Sequence, residues 1–182
     1  MTEVEPRRAD PDARRPPEGV VIRVARPSDA ASYLRMWRSV FAERRYVRTE
    51  HVPHGVRHYR RFFRDASTAD HVRLVAVAGD EVVGTISLER LPHPVNRHVA
   101  TLGMAVLAGW RGRGVGAALM ASGVRWARAA GVEKLTLEVY THNEPAIALY
   151  RQFGFAEEGR LARHSKKSHG YEDELVMGRL LT

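Results

Sequence analysis

Val106-Leu-Ala-Gly-Trp-Arg111-Gly112-Arg113-Gly114-Val115-Gly116 reads as the end of a strand, a glycine-rich bend and the opening of a helix. Glycines in such a bend let the backbone come close to a ligand. The first N–H groups of the following helix have no partner within it and carry the positive end of its dipole. The bend is therefore an anion cradle, and the phosphates of a nucleotide-containing cofactor suit it, with Arg111 and Arg113 adding charge at the mouth. Two other phosphate-binding patterns fit poorly. Gly109 and Gly114 have the spacing of a Walker loop, but Val115 and Gly116 follow where Lys and Ser/Thr are needed. Gly112-x-Gly114-x-x-Ala117 satisfies a permissive dinucleotide fingerprint, yet it lies past the middle of the chain, with too few strand–helix units after it to build a doubly wound sheet.

Working outward, His98–Leu107 is the strand before the bend and Gly114–Ala130 the helix after it, closed by Gly131. Upstream, the pattern predicts a strand over Val20–Arg26, a helix over Asp29–Phe41 with Tyr33, Leu34, Trp37, Val40 and Phe41 on one face, and a weaker helix over Val56–Phe63. Two strands follow, Val72–Ala78 and Glu81–Leu88, turning at Gly79-Asp80. Downstream come a strand over Leu135–Tyr140, a short helix Pro145–Phe153 capped by Asn143, and strands over Ala156–Arg163 and Glu174–Leu181 flanking a polar loop, His164–Gly170. This order is that of a mixed α/β single domain.

The chain has 182 residues, no cysteine, and 29 Lys and Arg against 21 Asp and Glu. One domain is expected at this length. Without cysteine there are no disulfides, thiolate metal sites or thiol nucleophiles. The opening segment, residues 1–19, alternates charge and proline and reads as a disordered tail before a domain over residues 20–182. Its four arginines and five acids leave a net +9 on the rest, which suits a polyanionic partner such as a multiply phosphorylated cofactor, nucleic acid or an anionic membrane. The longest apolar run, Thr101–Trp110, is half of the roughly 20 residues a spanning helix needs. With no secretory signal in the opening segment, a cytoplasmic protein is expected.

Arg111-Gly112-Arg113-Gly114-Val115-Gly116 also matches Arg/Gln-x-x-Gly-x-Gly/Ala, and Asn143-Glu-Pro-Ala146-Ile-Ala-Leu149-Tyr150-Arg-Gln-Phe-Gly154-Phe155 matches Asn-x-x-Ala-x-x-Leu-Tyr-x-x-x-Gly-Phe without a gap. On these two motifs the chain resembles the GCN5-related N-acetyltransferase (GNAT) family over residues 20–181. The resemblance implies a largely antiparallel sheet of about seven strands, splayed into a V between the fourth and fifth. It implies acetyl-CoA as cosubstrate, with the amides of Arg111, Gly112, Arg113, Gly114, Val115 and Gly116 on its diphosphate. The strand edge at Met104, Ala105 and Val106 would lie along the pantetheine arm, with Asn143 and Tyr150 beside the cofactor. It further implies Tyr150 as the acid that protonates the departing sulfur and Glu138 as the base. Glu89, at the end of the third strand, is the alternative base. Bacterial acetyltransferases of free amino acids or protein amino termini are the most similar in flavour.

The acceptor is accordingly expected to be a small-molecule amine or a protein amino terminus, with no nucleic acid, no membrane and no metal, and with homodimer formation open. A non-catalytic acyl-CoA-binding or regulatory module and a basic nucleic-acid-binding protein are the alternative readings. His51, His54 and His58 are close in sequence but lack an H-E-x-x-H arrangement and read as solvated histidines. Trp37, Phe41, Tyr59, Phe62 and Phe63 read mainly as core, with one or two of them reaching the acceptor. Lys166 and Lys167 read as a solvated turn, with a charged lip of the acceptor channel as the alternative.

Overall fold

Strands β2 (His71–Ala78) and β3 (Glu81–Arg90) are apolar and buried almost throughout, the pattern of strands covered on both faces. Alternation sends Leu74, Ala76, Ile86 and Leu88 to one core cluster and Val75 and Val77 to another. The computed structural model describes residues 11–48 and 54–181. In it β1 (Val20–Val24), β2, β3, β4 (Val99–Val106), β5 (Lys134–Tyr140), β6 (Ala156–Lys167) and β7 (Gly170–Leu180) form one sheet in the order β1-β2-β3-β4-β5-β7-β6. Helices α1 (Ala30–Ala42) and α2 (Val56–Phe62) cover one face; α3 (Val115–Ala129) and α4 (Glu144–Gln152) pack on the other. No helix among the described residues is long and apolar enough to cross a membrane.

All neighbouring strands are antiparallel except β4 and β5, which α3 connects in parallel. That pairing covers only Val99–Thr101 against Lys134–Thr136. Beyond it the strands separate, so Leu102–Val106 present an edge with no strand partner on the β5 side while β3 still pairs with them through Val106. The expected V is thus present between the fourth and fifth strands.

Close packing of α3 fixes one wall of this V. A Cβ on Gly123 would lie 2.9 Å from Leu88 Cδ1 and 3.1 Å from Ile86 Cδ1. Gly123→Val should therefore lower stability by about 1–3 kcal/mol through overpacking. Urea unfolding would show this as a lower midpoint at unchanged slope, and an unchanged midpoint would mean that α3 can lift off β3 at no cost.

Two expectations are corrected. The polar stretch His164–Gly170 is not a loop: β6 runs to Lys167, and Lys167 pairs with Gly170 around a turn at Ser168 and His169. Arg163, with φ +51°, makes a bulge whose N–H donates to Asp173 at 2.6 Å, and the register shifts there before pairing resumes at Ser165. An edge strand of exposed polar residues carries no apolar alternation, so its length is set by pairing that sequence spacing does not display. Within the segment expected to be a tail, residues 1–10 lie outside the described residues, but Pro11–Ala13 form a turn against α3. Asp12 is buried there, takes a two-bond fork from Arg179 at 2.8 Å and pairs with Arg128 at 3.0 Å.

Candidate active site

The bend after β4 has the backbone that its glycines allow. Gly112 and Gly114 have φ of +71° and +87°, a region costly for side-chain-bearing residues, and Gly114 is the N-cap of α3. The N–H groups of its first turn have no intrahelical partner, and among the described residues no side chain caps them. A Cβ on either glycine would meet nothing within 4 Å among the described residues, so the space beside the bend is open there. Such a concave, donor-lined surface accepts an anion. The two arginines beside it are partly engaged. Arg111 donates from Nε to the Val106 carbonyl at 2.9 Å and forms a fork with Glu43 at 2.6 and 2.9 Å, which ties the end of α1 to the end of β4. Arg113 lies over the Trp110 ring.

Where β4 and β5 part, a cavity of about 790 Å³ opens. Its sheet wall carries Thr85, Ser87, Thr101, Thr136 and Glu138, whose side chains alternate away from α3, together with the backbone of Gly103. Met104, Leu137 and Tyr150 belong to the core cluster around α3 yet also line the cavity, so they reach it through the gap between the strands. Tyr150 is held by α4, whose start is fixed by Asn143 accepting the Ala146 N–H at 3.4 Å. The tyrosine is 6% exposed, and burial pushes its hydroxyl up to about 12. At neutral pH it is a proton donor, not an anion.

The opposite wall is aromatic. Tyr33 packs edge-on to Trp37 and Phe63, and Trp37 stacks on Phe41 at 5.0 Å between ring centres. Of the five aromatics expected mainly in the core, only Phe63 is buried; Trp37, Phe41, Tyr59 and Phe62 line the cavity. His54 and His58 are exposed and stack on one another. His51 lies outside the described residues.

The family model for the acetyltransferase (GNAT) family matches residues 34–155. This chain belongs to that family. It is similar to the L-amino acid N-acetyltransferase AaaT of Escherichia coli, with 32% identity over 139 residues, 74% of this chain and 83% of that protein. The fold superposes on a GNAT-family acetyltransferase from Streptococcus pneumoniae with a TM-score of 0.84, 24% identity, and coverage of 90% of this chain and 99% of that one. A GNAT-superfamily phosphinothricin acetyltransferase from Sinorhizobium meliloti in complex with AcCoA gives a TM-score of 0.79 at 20% identity, covering 89% and 88%.

Within this GNAT chain the sequence-predicted residues separate into groups. Met104, Ala105 and Val106 lie on the β4 edge, Arg111–Gly114 in the bend that follows it, and Val115 and Gly116 in the first turn of α3. A Cβ on Gly116 would sit 3.2 Å from Leu149, so the first turn of α3 abuts α4 beside Tyr150. Glu138 lines the cavity; Glu89 is exposed two residues beyond Ser87 and is not among the lining residues.

Arg48 also lines the cavity, although the sequence does not single it out, and Lys167, expected in a solvated turn or on a charged lip of the channel, packs against its backbone. Arg48 donates from Nε to the Glu174 carboxylate at 3.1 and 3.2 Å, and its Nη2 bridges Glu174 and Glu138. Glu174 on β7 is 1% exposed and also accepts from Ser165 at 2.6 Å. Burial is the largest single influence and opposes the charge of both partners, but the hydrogen bonds between them, those from Ser165 to Glu174 and from Arg48 to Glu138, and the attraction of opposite charges together outweigh it, holding the carboxyl below its ordinary value and the guanidinium above its own. Lys167 is not in a solvated turn: it is buried, and Nζ donates to the carbonyls of Val47 and Arg48, the latter at 2.7 Å. Arg48 stands in an irregular stretch with no periodicity to single it out, and Lys167 in a stretch that reads as a loop.

Proposed function

We propose that this protein transfers the acetyl group of acetyl-CoA to a primary amine, whether a free amino acid, a small amine or a protein amino terminus, by direct attack in a ternary complex. One observation carries the reading: β4 and β5 part beside a donor-lined bend, and Tyr150 and Glu138 both line the opening. Acetyl-CoA supplies an acyl group already activated as a thioester. The open, positive-φ bend at Gly112–Gly114 and the first turn of α3 at Val115 and Gly116 suit its diphosphate, with Arg113 raising the local positive potential and Arg111, forked to Glu43, at the edge of the bend. The unpaired β4 edge at Met104–Val106 offers backbone donors and acceptors to an amide-bearing arm, and Asn143 caps the helix that carries Tyr150 toward the same cleft.

An alkylamine with a pKa of about 10 is mostly protonated at pH 7, and only the neutral form attacks a carbonyl carbon. Glu138 takes the proton, directly or through one water. Glu89 is the weaker candidate because it stands outside the cavity lining. Tyr150 gives its proton to the departing sulfur. The chain has no cysteine and no Gly-x-Ser-x-Gly, in keeping with transfer that involves no acyl-protein intermediate.

Incubation with acetyl-CoA and a panel of amines, followed by free-thiol release, tests the reading. Amine-dependent release is the expected result. Coenzyme A binding with no release for any amine would make the protein a binding module instead.

A further inference from the structure

The cavity presents two opposite charges side by side. Among the described residues Arg48 is the only lysine or arginine lining it, and Glu138 the only carboxylate. The Arg48 side chain is 52% exposed and that of Glu138 38%, whereas Glu174 at 1% cannot meet a ligand. Glu174 therefore acts as the buried counter-ion that orients Arg48. Nε and Nη2 of Arg48 are spent on the two carboxylates, while Nη1 makes no hydrogen bond among the described residues.

The backbone under Arg48 is held as firmly as its side chain. Lys167 donates to the carbonyls of Val47 and Arg48, and His142 contacts the Arg45 carbonyl at 3.1 Å while its ring stacks with those of Tyr46 and Tyr140. The segment carrying Arg48 is thus fastened to the β6–β7 hairpin and to the turn after β5. Several fastenings on a stretch with no helix or strand of its own fix the direction of one guanidinium.

We propose that Arg48 is the acceptor-specificity residue of this acetyltransferase: it receives the acceptor's carboxylate while the acceptor's ammonium meets Glu138, so that the preferred acceptor is a free α-amino acid, with an aromatic side chain suited to the Tyr33–Trp37–Phe41–Tyr59 wall. A zwitterion carries its two charges a few ångströms apart, as the pair requires. A plain amine satisfies Glu138 alone, and a peptide amino terminus offers an amide where the guanidinium seeks an anion. Lys167 is a positioning residue, acting through the backbone of Arg48. The inference rests on the acetyl-transfer reading above and narrows its acceptor.

Thiol release with L-phenylalanine, L-tyrosine and L-tryptophan, compared with phenethylamine, tyramine, tryptamine and the three amino-acid amides, tests it. The intact enzyme is expected to favour the amino acids by about 10- to 100-fold in kcat/KM, the value of a charge-assisted hydrogen bond. In Arg48→Ala that ratio collapses toward unity, through a raised KM for the amino acids. Lys167→Met lowers the ratio part-way and Lys167→Arg restores it, with thermal melting confirming that each variant is folded. The proposal is overturned if the intact enzyme turns over amines or amides as well as amino acids, if it uses none of the nine compounds while acetylating other amines, or if Arg48→Ala reduces all acceptors by one factor. Absence of thiol release with every amine tried would instead remove the acetyl-transfer reading itself.

Discussion

Gly114→Val should weaken coenzyme A binding by about 100-fold or more, a loss of roughly 2.7 kcal/mol, while leaving a folded protein. The reasoning has two parts. Gly114 has φ +87° at the N-cap of α3, where a β-branched residue is strained by about 1–3 kcal/mol. A Cβ there has nothing within 4 Å among the described residues, so the branch point of the new side chain adds no clash to that strain. The open space it enters is the space assigned to the diphosphate. A relaxed backbone would also turn the first N–H groups of α3 away from their common focus. Calorimetric titration with coenzyme A reads the affinity, and a thermal melt reads the strain separately. Unchanged affinity in a folded Gly114→Val variant would show that the anion is held elsewhere.

The parts of the site legible in the sequence are those built by local rules. Gly112 and Gly114 announce a bend because other residues resist positive φ, and Asn143 announces a helix start because its side chain can cap one. Thr136, Glu138 and Tyr140 are placed on one face of β5 by simple alternation, and Thr136 and Glu138 do line the cavity. The sequence does not display features that depend on meetings between distant segments. Arg48 lies 126 residues from Glu174, in a segment that belongs to no strand, and the β5–β7 pairing that sets Glu138 beside Glu174 joins residues likewise remote in sequence from Arg48. Lys167 looks solvated because it sits among polar residues, yet its ammonium is buried against two carbonyls from the other end of the chain. The aromatics of α1 and α2 have the helical spacing of a core face, and that spacing is the same whether the face meets a sheet or lines a cleft. Tyr33, Trp37 and Phe41 meet the place where the sheet has opened.

Tyr150→Phe should lower kcat by about 100- to 1,000-fold with little change in the KM for acetyl-CoA, the range expected when a positioned general acid is lost. The ring stays: Tyr150 packs 5.9 Å from Phe155 between ring centres, inside the cluster formed with α3. Its hydroxyl makes no hydrogen bond among the described residues, so its removal orphans no partner. The loss then falls on the chemical step and not on folding, and the melting temperature should hardly move. The pH dependence follows from the sign of the shift. Burial raises the hydroxyl to about 12, so the protonated, donating form persists as pH rises through the neutral and mildly alkaline range. Deprotonation of Tyr150 therefore cannot produce an alkaline fall in rate below about pH 10, and the ratio of intact to variant rates should be flat from pH 7 to about pH 9.5. A ratio that shrinks across that interval would mean that the tyrosine loses its proton far earlier than its burial allows. A variant as fast as the intact enzyme would mean that the sulfur leaves without help from this side chain.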